Sequence, residues 1–221
     1  MQIEQIKQKI STAAKKAGKS FDDITVVCAT KTRDIDTIKA IKDWGFCYAG
    51  ENRVQELLSK YQPIDGISWQ IVGQLQSNKV KYIADKVDMI QSLDRQSLAK
   101  EIDRQCQPLG KVMDCLVEIN VSGIEGRGGV EPQQVINFVN EMAEYKNIKI
   151  KGLMTVLPIC DGDEVVAFCK QMQNLFEQAK AECKNADMQY LSMGMSDDFE
   201  VAIENGANMI RLGRILFGER N

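Results

Sequence analysis

Short apolar runs alternate with amphipathic stretches along the whole chain. The first ten residues place Ile3, Ile6 and Ile10 on one helical face, and the pattern predicts a helix over 2–17. A β-branched run, Ile24 to Thr30, follows. Further strands are predicted at Phe46–Tyr48, Trp69–Val72, Val87–Ile90, Val112–Ile119, Ile148–Val156, Met188–Met193 and Met209–Leu212. Helical spacing fills the gaps, over about 34–44, 51–60, 77–85, 95–107, 131–145, 163–184 and 197–205. Nearly continuous apolar strands separated by helices mean a parallel sheet covered on both faces. Eight such units fit an α/β fold, a single (β/α)8 TIM-type barrel with an N-terminal helix before strand one. An open doubly wound sheet is the alternative. The expected helix after strand eight is missing, since only the short apolar tail Ile215-Leu216-Phe217 follows. The N-terminal helix could take its place. With no linker or low-complexity tract, residues 1–221 read as one domain.

Composition narrows the chemistry. There is no histidine among 221 residues. Ser-His-Asp and Cys-His catalysis and His-ligated metals are therefore excluded, and no metal site is expected. Proton transfer would fall to Lys, Cys, Tyr or a carboxylate. The seven cysteines form no Cys-x-x-Cys pair. They read as reduced core residues of a cytoplasmic protein. A net charge of −3 speaks against a nucleic-acid or anionic-membrane binder. No apolar run reaches membrane-spanning length. No long exposed apolar stripe is left over, so a monomer is expected.

In a barrel, function sits at the C-terminal ends of the strands. Strand one ends in Thr30-Lys31-Thr32. Lys31 shares its side with Ala29 and Val27, so it would enter a partly dry mouth, where a lowered pKa suits imine chemistry. A lysine that snorkels to water is the plainer alternative. Asn52, after strand two, is either a helix cap or a ligand contact. The loop Gly73 to Lys79 is rich in amides, and Ser122 to Gly129 is rich in glycine without matching a nucleotide fingerprint. Strands seven and eight end in Ser192-Met193-Gly194-Met195-Ser196 and Arg211-Leu212-Gly213-Arg214. Barrels often bind phosphate between these two loops. Ser192 can supply a hydroxyl, and Gly213 and Arg214 backbone N–H groups. Ser196 is ambiguous, because Asp197 and Asp198 follow it. Arg211 alternates with Met209 and would point inward, where it needs a partner. A lysine facing a phosphate cup across one mouth fits a ligand with a carbonyl at one end and a phosphate at the other. Pyridoxal 5′-phosphate and small sugar phosphates both qualify.

Six segments in order then resemble the pyridoxal phosphate homeostasis proteins (the YggS/PROSC family), similar to a one-domain alanine racemase barrel. They are Ala29–Thr32, Gly50–Glu56, Gly73–Lys79, Gly152–Thr155, Ser192–Phe199, and Arg211–Gly213 with Phe217–Arg220. The resemblance implies an internal aldimine between pyridoxal 5′-phosphate and Lys31. It implies a phosphate cup of Ser192, Gly213 and Arg214, with Arg211 facing the pyridine nitrogen and Asn52 beside the cofactor. It implies a regulator or carrier in vitamin B6 homeostasis rather than a catalyst, with pyridoxal-phosphate-dependent apo-enzymes as partners. A ring nitrogen facing a permanent cation stays unprotonated, which weakens the electron sink that carbanion chemistry needs. The alternatives are a weak racemase or lyase with Tyr48 as candidate base, and an aldolase or isomerase using Lys31 without cofactor. The chain departs from the family pattern at Gln70 and Gln74, where relatives carry histidine, and at Arg214, where many carry a small hydroxyl residue.

Overall fold

The computed structural model describes residues 3–160 and 162–218. Eight strands close into one parallel barrel in chain order, with β8 pairing back onto β1. They are β1 (Thr25–Ala29), β2 (Tyr48–Glu51), β3 (Ser68–Ile71), β4 (Met89–Leu93), β5 (Met113–Glu118), β6 (Ile148–Met154), β7 (Tyr190–Ser192) and β8 (Met209–Leu212). The outer ring holds α1 (Ile3–Lys16), α2 (Ile35–Ala40), α3 (Val54–Lys60), α4 (Gln96–Cys106), α5 (Val135–Glu141), α6 (Asp163–Glu182), α7 (Phe199–Glu204) and α8 (Arg214–Phe217).

The main apolar core lies between strands and helices. It includes Ile6, Ile10, Ala13 and Ala14 of α1, which packs against α7 and α8. Ion pairs Lys9–Glu200 (2.8 Å) and Lys16–Glu204 (2.7 Å) pin α1 to α7. So α1 does fill the ring beside a last helix of only four residues. A second, smaller cluster of Val27, Val72, Met89, Leu116, Met154 and Met209 fills the lumen. Gly50 is required there. A Cβ at this position would lie 2.8 Å from the Val27 side chain and 3.1 Å from Val72.

Several boundaries differ from expectation, three of them in a way that matters for the fold or the site. The 77–85 helix is a 3₁₀ segment, Ser77–Tyr82, in keeping with the weak helix propensity of Ser77, Asn78, Val80 and Tyr82. The 131–145 helix shrinks to α5, flanked by 3₁₀ turns at Pro132–Gln134 and Met142–Glu144. Strand two starts at Tyr48 rather than Phe46 and runs on to Glu51, a carboxylate with no exposed surface. Its polarity hid it, and its partners, described below, lie outside the strand. Of the family-like segment Phe217–Arg220, Glu219 and Arg220 lie outside the described residues.

Candidate functional site

A cavity of about 490 Å³ opens at the C-terminal ends of β1, β7 and β8. That is within the usual range for small-ligand sites. Lys31, Arg211, Gly213 and Arg214 all line it, with Thr32, Arg33, Ser196, Asp197 and Phe217. The other two residues singled out from sequence lie elsewhere. Asn52 is exposed after β2 and is not part of the cavity wall. Ser192 has no exposed surface and lies behind Arg211, bonded to it. The loops 73–79 and 122–129 do not line the cavity either. The second is tied by its own contacts, Asn120 Nδ2 donating to Ile124 O at 3.1 Å and Arg127 Nη2 to Val156 O at 2.5 Å.

Arg211 is nearly buried, yet its guanidinium is well served. It donates to Ser192 Oγ at 2.6 Å, Ser192 O at 3.0 Å and Thr155 O at 2.6 Å. Ser192 in turn donates to Gln91 Oε1 at 2.7 Å, and Gln91 Nε2 donates to Gln70 Oε1 at 2.7 Å. Strands β4 and β7 are not neighbours, so the Gln91–Ser192 bond crosses the lumen. A neutral hydrogen-bonded layer thus spans the barrel beneath the cavity. Gln70 is its far end. Burial pushes the Arg211 pKa down to about 10, and it remains a cation at neutral pH.

Glu118 is the nearby acid. Burial, helped by the Asp94 charge, pushes it up to about 7, while Arg211 and Arg127 pull the other way. Its buried Oε2 has no hydrogen-bond partner among the described residues. Sequence reading missed both Gln91 and Glu118. The signal was there, as each alternates with an inward apolar residue, Met89 and Leu116 respectively.

At the other end of the cavity, Ser196 Oγ accepts from Ile215 N–H at 3.2 Å. This bond ties the β7 loop to α8 and leaves the Ser196 O–H able to donate. The leading N–H groups of a helix lack partners within that helix, and Gly213 and Arg214, at the start of α8, line the cavity. Arg214 pairs with Asp197, which offsets the acid expected to repel a phosphate. Arg33 donates to Gly218 O at 3.1 Å and lies 5.6 Å from the Phe217 ring centre, joining the Lys31 loop to the end of α8. An amine, a buried guanidinium and a helix start with leading N–H groups in one cavity fit pyridoxal 5′-phosphate as a donor set.

The alanine racemase N-terminal domain model matches residues 2–221. The pyridoxal phosphate homeostasis protein of Aquifex aeolicus is 39% identical over 221 residues, covering 99% of this chain and 96% of its own. The chain belongs to this family. PipY of Synechococcus elongatus, solved with PLP bound, superposes with a TM-score of 0.82 at 26% identity, covering 98% of this chain and all of its own. An alanine racemase of Clostridium difficile shares the fold, with a TM-score of 0.75 at 16% identity. This chain covers 99% of itself and 56% of that enzyme. Among the described residues no cluster of His, Cys, Asp or Glu could hold a metal, and no helix is long and apolar enough to cross a membrane.

Proposed function

We propose that this chain binds pyridoxal 5′-phosphate at the β1/β7/β8 mouth and acts in vitamin B6 homeostasis as a regulator or carrier. The reading rests on one observation: Lys31, Arg211 and the Ser196–Arg214 end share one cavity. Lys31 Nζ condenses with the cofactor aldehyde. A C–N bond forms, the aldehyde oxygen leaves as water, and the internal aldimine results. Ser196 and the Gly213–Arg214 backbone hold the phosphate. Arg211 faces the ring nitrogen, with Ser192 holding Arg211 rather than the phosphate. Asn52 keeps its place beside the cofactor only if its side chain turns in from the β2 end.

The bound cofactor supplies an aldehyde and an electron-accepting ring. Arg211 stays charged and keeps the ring nitrogen unprotonated, which disfavours carbanion chemistry. Tyr48, the candidate base of the catalytic alternative, packs against the lumen's apolar cluster, and burial raises its phenol pKa. Both observations support a carrier over a racemase or lyase. The proposal includes a single cofactor-binding domain over 1–221, a monomer, a cytoplasmic setting and delivery to apo-enzymes.

Titration with pyridoxal 5′-phosphate, followed by absorbance, tests the binding. A saturable new band in the wild type that is absent in Lys31→Ala is expected. Equal bands in both would sink the assignment. Excess amino acids in D2O test the carrier role, and α-proton exchange dependent on Lys31 would restore the enzyme reading.

A further inference from the structure

Lys31 sits in a four-residue turn whose backbone is held from one side by three charged residues that do not line the cavity. Lys60, at the end of α3, is only 10% exposed at its side chain. Its ammonium donates to Thr30 O at 2.8 Å and to Arg33 O at 3.1 Å, the two carbonyls that bracket the turn. It also pairs with Glu51 Oε1 at 2.9 Å and Glu56 Oε1 at 3.1 Å. Glu56 Oε1 accepts the Thr32 N–H, and Glu51 Oε1 accepts the Thr30 hydroxyl. The Arg33 N–H closes the turn on Thr30 O at 3.0 Å. So the backbone on both sides of Lys31 is fastened to one ammonium and two carboxylates.

The turn needs fastening. Thr32 has φ +65°, the only positive value at a non-glycine residue among those described. A β-branched residue enters that region only where its surroundings over-determine it. The charges are also costly in isolation. Glu51 has no exposed surface, and burial raises its carboxyl pKa against the pull of Lys60 and Thr30. An ion pair of this kind is weak evidence for stability, but its bonds here run to the turn's own carbonyls and N–H and fix the turn's geometry.

We propose that Lys60, bridged by Glu51 and Glu56, is the positioning residue for Lys31, setting the angle at which its amine meets a ligand aldehyde. This rests on the cofactor reading above. It assigns Lys60 no contact with the ligand. Its role is to speed the covalent step, leaving the first, noncovalent encounter unchanged.

The test separates those two steps. Pyridoxal 5′-phosphate reports encounter and imine formation together by stopped-flow absorbance. Pyridoxine 5′-phosphate, which carries an alcohol in place of the aldehyde, reports the encounter alone. In Lys60→Met the imine-forming rate constant should fall about tenfold, within the hundredfold that a 1 Å misplacement can cost. Pyridoxine 5′-phosphate affinity should stay within about twofold, on the same argument. Adding Thr32→Gly to Lys60→Met should recover part of the rate, because glycine adopts φ +65° without support. Glu56→Gln, at a partly exposed position, decides the matter if Lys60→Met fails to fold, and should slow the step in the same sense. Unchanged imine rates in the variants would overturn the proposal, as would parallel losses of both ligands. A wild type that binds pyridoxine 5′-phosphate but never forms a reducible adduct on Lys31 would instead overturn the cofactor reading.

Discussion

The two flanks of the cavity hold their functional groups by opposite means. On the β1–β2 side, three charged side chains grip a backbone turn, and Lys31 is carried on it. On the β7–β8 side, a single buried cation is gripped by neutral acceptors, Ser192 and Thr155, backed by Gln91 and Gln70. Under the proposed function, the difference follows from what each group would do. A nucleophile needs a fixed backbone and a side chain able to change its protonation and bonding. The guanidinium proposed to face a ring nitrogen has to keep its charge, and it is met by carbonyls and a hydroxyl, with no carboxylate in direct contact among the described residues. Glu118 marks the limit of that design, close enough to sense Arg211 yet with one oxygen unpaired.

The largest expected effect comes from breaking the neutral flank. Arg211→Ala leaves Thr155 O and the Ser192–Gln91 pair without their cation and opens space in the mouth. Unfolding in urea should show a loss of roughly 3 kcal/mol, from buried acceptors left unmade. A loss under about 1 kcal/mol would mean the layer closes without Arg211.

A smaller effect should come from Glu118, and it depends on pH. Its folded pKa of about 7 lies above the ordinary 4.5, so the fold prefers the protonated acid. The stability linked to this group is fully present below about 4.5 and is lost as pH rises through about 7. Glu118→Gln cannot titrate. Its stability relative to wild type should therefore rise between pH 5 and pH 8 in parallel thermal melts. A constant difference across that range would show that Glu118 is not the partly buried acid described.

The smallest effect concerns the ion pair at the cavity rim. Arg214 and Asp197 are 53% and 78% exposed at their side chains. Asp197→Asn should change stability by less than about 0.5 kcal/mol. It should nonetheless tighten inorganic phosphate binding, read by isothermal titration, because Arg214 is released and a negative charge removed. Weaker phosphate binding would place the anion away from α8.

Much of this was legible in the chain itself. The strands stood out because a lumen and an outer core both demand apolar, β-branched residues. Where that demand lapsed, so did the reading: β2 ends in Glu51, whose burial is supported by Lys60 and Thr30. In the site, Lys31, Arg211, Gly213 and Arg214 could be found because they lie at or just past strand ends. Ser192 and Ser196 could not be told apart by type. Period two offered the distinction, since Ser192 shares its side with Tyr190, against the lumen cluster, while Ser196 lies beyond Gly194 in the loop. Lys60 was invisible, because its turn contacts lie 27 and 30 residues away in the chain.

The central claim is that Lys31 is the attachment point at a phosphate-bearing mouth. The most direct measurement is borohydride reduction of the protein loaded with pyridoxal 5′-phosphate, followed by peptide mass mapping. The account predicts one reduced adduct, on the peptide carrying Lys31. Adducts spread over surface lysines, or a single adduct on another lysine, would contradict it.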